Sequence, residues 1–484
     1  MVFRRCRNPI VLPCILLAAL SAAMPSHSQA VYRASIATGG AEADWDSRHP
    51  SISADGRYIA FTSGAFNLIP GGTPDTTDVY VRDRVTLQTT CVSVSSSGAR
   101  GNNNSDSPSI SSDGRYVAFR SYASNLVPND TNGVEDIFLH DTVLGTTVLV
   151  SAAAGGAPAN GWSDSPAISG NGNIVAYSSK TSNIVDGTAI TVRNILAWNR
   201  LSGVTTRLSK AFDGSPANGD SFFPAISEDG RYIAFESFAS NILLGDTNNA
   251  SDVFVADRLT GATQRVSVAS GGLQSATDSD EAAISADGRW VAFRSYSTNL
   301  VTTLDQNDAP DVFLHDRATG ATSLVSVGID GAAALGESGS ASLSSDGRYV
   351  AFWSRAANVV SGDTNGWDDV FVRDTVKQTT TRISAGDYWS LSPTITQNGV
   401  YVSFESYADN LVSADTNQMS DVFAAGPLAA AYSVSEAGKA LRIWGGLLVA
   451  DPMDLPRLNV EAANAHIDLS DATRIARKAM GLEP

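Results

Sequence analysis

Between Ile52 and Thr396 the chain restates one stretch of sequence seven times. Each copy reads like PSISADGRYIAF, passes a Ser-x-x-x-Asn step and ends in a run like DVFVRD. The turn dipeptides stand at Asp55-Gly56, Asp113-Gly114, Asn171-Gly172, Asp229-Gly230, Asp287-Gly288, Asp346-Gly347 and Asn398-Gly399, about 58 residues apart. A unit of this size has an apolar face that only a neighbouring copy can cover, so the array must stack or close into a ring.

Every copy holds four runs of β-branched and aromatic residues with alternating polarity, separated by turn residues. In the second copy, A is PSIS around Ile110, B starts at Arg115, C at Glu135 and D at Thr146. Asp-Gly or Asn-Gly between A and B predicts a two-residue hairpin turn with positive φ at both central positions. Four antiparallel strands per unit in a radial array make a β-propeller. The ends complement each other: Val31 to Gly40 matches a D strand with no A, B or C before it, and the seventh copy has A, B and C but no D. The expected fold is therefore an all-β, seven-bladed β-propeller over residues 31–427, closed by the N-terminal strand.

These residues resemble the TolB-like, WD-related propeller family, whose blades carry a similar PSxSPDGRxIAF signature ahead of a D-I-[FY]-V-x-D strand. The family includes periplasmic translocation components, peptidase accessory domains and a few polysaccharide lyases, and fold alone does not choose among them.

Residues 1–30 read as a secretory signal peptide: Arg4, Arg5 and Arg7, an apolar run from Ile10 to Ala23, then Ser28-Gln29-Ala30. The expected location is periplasmic or extracellular. Cleavage removes three arginines and no acid, making the formal charge of -17 more negative. Such a surface disfavours nucleic acid and anionic membranes as partners. Cys91 is then the only cysteine, so no intramolecular disulfide forms, and its strand-like setting predicts packing rather than reactivity.

Strand direction alternates, so the B–C and D–A loops share one face. Five B–C loops carry Asp-x-Asn-x-x-x-Asp: Asp130/Asn132/Asp136, Asp246/Asn248/Asp252, Asp305/Asn307/Asp311, Asp363/Asn365/Asp369 and Asp415/Asn417/Asp421. Oxygen donors at this spacing suit Ca²⁺, and they equally suit Asx turns ahead of strand C. The D–A loops add Asp106, Asp164, Asp220 and Asp280, which predict an acidic channel rim, and Trp45, Trp162 and Trp389, whose rings suit stacking on a sugar or a partner peptide. The asparagines Asn67, Asn125, Asn183, Asn241, Asn299, Asn358 and Asn410 recur in every blade, which argues for a structural role.

No Gly-x-Ser-x-Gly occurs, which excludes the serine-hydrolase branch of the resembling family. His49, His140 and His315 are too scattered for the lyase branch's histidine-rich metal site. After Pro427 the repeat stops, and Ser433 to Leu447 aligns with Asp468 to Leu482, each reading as a short amphipathic helix. This duplication over residues 428–484 is similar to dockerin modules, which bind cohesin domains in extracellular polysaccharide-degrading assemblies. It lacks most of the acids of a calcium loop. The expectation is an exported binding or scaffold propeller, taking a protein or carbohydrate ligand on its acidic face and tethered by a dockerin-like helical tail to a cohesin-like partner. The alternative is a carbohydrate-active enzyme, a polysaccharide hydrolase or lyase.

Overall fold

The computed structural model describes residues 30–71, 76–185, 191–302 and 307–428. Its strands form seven four-stranded antiparallel sheets, the seven-bladed β-propeller that the repeat predicts. Blade 1 comprises strand A at Ser47–Ile52, B at Tyr58–Ser63, C at Asp78–Asp83 and D at Gln88–Cys91. Blade 7 is completed by the N-terminal strand, with Val31, Tyr32 and Arg33 opposite Ala425, Ala424 and Phe423. The predicted signal peptide and helical tail lie outside the described residues, apart from Ala30 and Leu428.

The core lies between blades. One cluster joins Ile174 and Ile195 of blade 3 to Ile233, Phe235 and Phe254 of blade 4. In six blades an aromatic of strand B stacks on one of strand C, as Phe119 does on Phe138 at 5.8 Å. Burying one such ring contributes roughly 1.5–3 kcal/mol, and each ring needs the adjacent blade to cover it. This is the physical reason why the sequence repeats.

The A–B turns are longer than expected. Ser53 N donates to Tyr58 O at 2.9 Å and Gly56 N to Ser53 O at 2.9 Å, leaving four residues between the paired positions. Only the glycine has positive φ (75° at Gly56); the aspartate instead caps the loop, accepting from Ser53 Oγ at 2.7 Å and Arg57 N at 2.9 Å. Gly114 (φ 75°) has a second constraint, because a Cβ there would lie 2.1 Å from Cδ2 of Tyr58 in the preceding blade. Gly114→Ala should therefore cost about 2 kcal/mol or more, since backbone strain and overpacking add. Urea unfolding checks this, and an unchanged midpoint would contradict it.

The recurring asparagines do hold the frame. Asn125 Oδ1 accepts from Asn102 N at 2.9 Å and its Nδ2 donates to Arg100 O at 2.8 Å, tying the B–C loop to the D–A loop of the same seam. The other six likewise accept a D–A backbone N–H.

Candidate binding face

The B–C and D–A loops form one face, here called upper. Strand A starts earlier than the Pro-Ser-Ile run suggests, at Ser105 in blade 2, so Asp106, Asp164 and Asp280 lie within strands, while Asp220 immediately precedes one. A bulge after the second residue accommodates the extra length, as between Asp106 and Ser109. The third residue then takes positive φ in every blade: His49, Ser107, Ser165, Phe223, Glu281, Ser340 and Ser392. Each such non-glycine position costs of order 1–3 kcal/mol. Recurrence in all blades assigns this geometry to the frame, and only the side chains mounted on it vary.

The expected open acidic rim needs correction. Asp106 is gripped by Arg120 at 2.8 and 2.7 Å, and Asp280 by Arg294 at 2.8 and 2.9 Å. Asp164 accepts from Ser178 Oγ at 2.7 Å and lies 3.2 Å from Arg193, whose backbone N donates to Asp220 at 2.7 Å. The pairs follow from hairpin register, which sets Asp106 opposite Arg120 and Asp280 opposite Arg294. An arginine fourteen residues after each aspartate was the available signal.

Acid remains in excess between blades 4 and 6. Arg294 also meets Glu281 at 3.3 Å and Glu337 at 3.6 Å. Glu236, 7% exposed, accepts from Glu281 N at 3.1 Å, and burial pushes its carboxyl up to about 7. Burial raises the Glu281 carboxyl as well. Gly339 makes room for this group, since a Cβ there would stand 2.8 Å from Glu281 Oε2.

The opposite end of the channel narrows to a cavity of about 140 Å³. Ile52, Ile110, Ile168, Ile226, Ile284, Leu343 and Ile395 ring it, and below them Glu228 reaches over Gly170 to accept from Ser112 Oγ at 2.7 Å and from Gln397 Nε2. A Cβ on Gly170 would sit 1.7 Å from Glu228 Oε2.

The three predicted tryptophans have different settings. Trp162 is covered by the Arg193 guanidinium, 3.8 Å from its ring centre and 4.5 Å from that of Phe222. Phe222 packs on Phe223 and Phe238, which are each 54% exposed. Trp45 is exposed and leans on Gly64. Trp389 meets Tyr407 at 4.6 Å and Tyr388 at 6.3 Å, and Tyr388 stacks on Trp367 at 4.3 Å.

The Asp-x-Asn loops hold a cation of their own in three blades. Arg265 bridges Asp246 (3.2 Å) and Asp252 (3.4 Å), Arg382 bridges Asp363 (3.4 Å) and Asp369 (2.6 Å), and Arg33 bridges Asp415 (3.1 Å) and Asp421 (3.5 Å). Each asparagine donates Nδ2 to the second carboxylate, and its Oδ1 accepts the backbone N–H two residues on, as in an Asx turn (Asn248, Asn365, Asn417). Oxygens committed in this way, around a guanidinium, do not fit calcium. In blade 2, Leu149 replaces the arginine; Asn132 donates to Asp136 at 2.5 Å, and burial pushes Asp136 up to about 6. Asp305 lies outside the described residues, while Asn307 donates to Ala334 O and Asp311 accepts from Ser326 Oγ at 2.5 Å. Among the described residues no group of three or more His, Cys, Asp and Glu could hold a metal ion.

His140 and His315 are separate clamps, each bonded through Nδ1 to the strand-D threonine Thr147 or Thr322 at 2.9 Å. Cys91 is buried, and its thiol is pushed up to about 12, mainly by that burial.

Sheets and loops together define a seven-bladed β-propeller. No protein-family model and no curated protein matches the chain. Solved structures are similar in fold. Oligogalacturonate lyase in complex with manganese is 12% identical over 82% of this chain and 96% of that one, with a TM-score of 0.50. The β-propeller domain of the Trilobed protease from Pyrococcus furiosus is 10% identical over 79% and 95%, with a TM-score of 0.49. TolB from Acinetobacter baumannii is 16% identical over 66% of this chain and 62% of its own, with a TM-score of 0.38, so this chain spans less than two thirds of that TolB's length. At these identities the likeness shows the fold alone.

Proposed function

We propose that the chain is an exported binding or scaffold propeller that takes its ligand on the upper face and is tethered by its C-terminal segment. The observation that carries this reading is where the repeat departs from itself. The A–B and C–D turns repeat one arrangement, with Arg57–Asp83 at 2.8 Å recurring as Arg115–Asp141, Arg231–Asp257, Arg289–Asp316 and Arg348–Asp374. Around the upper mouth, by contrast, one position of strand A is Arg48, Asp106, Asp164, Phe222, Asp280, Gly339 and Leu391 in turn. Five residue types occupy this position across the seven blades, with aspartate in three, and variation of this kind within a repeated frame is where recognition can be built. Retention of the full chain on immobilised polysaccharides and basic peptides tests the reading. Phe223→Ser with Phe238→Ser should reduce retention, and Val143→Ser with Val376→Ser on the other face should not; the reverse result would refute it.

The enzyme reading is favoured by Glu236, a buried carboxylic acid at the mouth that holds its proton near neutral pH beside Glu281. Turnover of a polysaccharide, lost in Glu236→Gln, would establish it.

A further inference from the structure

Blades 6 and 7 place four aromatic rings in one ribbon on the upper face. Trp367 stacks on Tyr388 at 4.3 Å, Tyr388 lies 6.2 Å from Tyr407, and Tyr407 meets Trp389 at 4.6 Å. Tyr388 is 40% exposed, and the other three are half-buried. The fold does not require these rings. The position of Trp367 is Val134, Ala250, Ala309 and Met419 in sister blades, that of Tyr388 is Trp45, Asn103, Gly161, Gly219, Thr277 and Gly336, and that of Tyr407 is Gly64, Lys180 and Arg355 in three blades and aromatic in the other three.

Trp389 goes against the frame. Its counterparts accept a backbone N–H from the preceding blade: Asp46 from Ser420 at 2.9 Å, Asn104 from Thr77 at 3.0 Å, Asp220 from Arg193 at 2.7 Å and Asp278 from Ser251 at 2.8 Å. An indole carries no acceptor, so blade 7 gives up an inter-blade hydrogen bond to present an aromatic face. Trp162 makes the same exchange, but its ring is covered by Arg193.

The charges touching the ribbon satisfy one another. Arg48 pairs with Asp46 at 2.8 Å, and the Tyr407 hydroxyl bonds both, at 2.5 and 3.0 Å. This leaves flat aromatic faces, flanked in the chain by the exposed carboxylates of Asp387 and Asp409, which accept from hydroxyl groups. A pyranose matches this chemistry, since it carries C–H groups on its faces and hydroxyls at its rim. We infer that Trp367, Tyr388, Trp389 and Tyr407 form a binding platform for a neutral oligosaccharide. The inference rests on the reading that the upper face takes ligand.

The test is calorimetric titration of the full chain with cellohexaose, xylohexaose and N-acetylchitohexaose, alongside hexagalacturonate and hexalysine as charged probes. At least one neutral hexaose should bind. Tyr388→Ala and Trp389→Asn should each weaken it at least about ten-fold, while Val143→Ser with Val376→Ser on the other face leaves it unchanged. Because asparagine is the residue at the equivalent Asn104, the Trp389→Asn chain should melt no lower than the parent, which separates lost binding from lost folding. Binding of none of the three neutral hexaoses, or undiminished binding by Trp389→Asn, overturns the platform. A charged probe bound in a Phe223-dependent way would then leave the upper-face reading standing, whereas probe binding lost only through Val143→Ser with Val376→Ser would overturn both.

Discussion

Arg33→Ala should destabilise the propeller by roughly 3–5 kcal/mol at pH 8, the range expected when one partner of a buried ion pair is removed. Arg33 sits on the strand that closes the ring, and its guanidinium serves Glu42 at 2.6 Å, Asp415 at 3.1 Å and Asp421 at 3.5 Å. Its removal leaves these carboxylates facing one another at the seam where blade 7 is completed by a separate piece of chain. Burial, only partly offset by Arg33, already pushes Asp415 and Asp421 up to about 6. A carboxyl whose folded pKa lies above the unfolded value costs stability once ionised, and that cost fades as pH falls through 6. The loss on Arg33→Ala should therefore be smaller at pH 5 than at pH 8. Chemical unfolding at both pH values measures this, and hydrogen exchange should show the amides of residues 421–425 opening first. A loss below about 1 kcal/mol at pH 8, within the range of an exposed pair, would mean that Arg33 does not secure the seam.

How much of this is legible in the sequence differs between frame and face. Blade count, closure through Val31–Arg33 and the role of the repeated asparagines are legible because each is stated seven times, or by mutual absence at the two ends. The turn type is not, because Asp-Gly serves both a two-residue turn and the longer loop seen at Asp55-Gly56; only backbone pairing separates them. The acidic rim misleads because strand A begins at Ser105 rather than at Pro108, and the register that pairs Asp106 with Arg120 depends on that start. Of the arginines in the Asp-x-Asn loops, Arg33 is hidden by chain distance, while Arg265 and Arg382 follow Asp252 and Asp369 by thirteen residues in the same repeat. Arg33 and Asp415 stand at opposite ends of the propeller sequence, and a calcium-like spacing says nothing about a cation supplied by strand D. The aromatic ribbon is half visible: Trp389 breaks the pattern in its own copy, but Trp367 and Tyr407 join it only through the packing of two blades.

Leu149→Arg should stabilise the propeller at pH 8 and do clearly less at pH 5. Leu149 lies opposite Phe138, as Arg265 lies opposite Phe254, Arg382 opposite Phe371 and Arg33 opposite Phe423. Blade 2 thus keeps both carboxylates of the loop, Asp130 and Asp136, at 8% and 0% exposure, without the strand-D guanidinium of those blades. Burial pushes Asp136 up to about 6, although Ser151 at 2.5 Å and Asn132 donate to it. Its unfolded value is about 3.9. The folded protein therefore binds this proton more tightly than the unfolded chain, so ionising Asp136 subtracts stability above pH 6, and the penalty disappears as pH falls from 6 toward 4. At about 1.4 kcal/mol per unit of pKa, the recoverable penalty is roughly 2–3 kcal/mol, less whatever it costs to desolvate the new guanidinium. A gain of about 1–2 kcal/mol at pH 8 that is clearly smaller at pH 5 and gone near pH 4 is the expected result of urea unfolding. An equal effect at both pH values would show that the introduced arginine acts by packing alone, and a loss at pH 8 would show that blade 2 cannot adopt the arrangement of blades 4, 6 and 7.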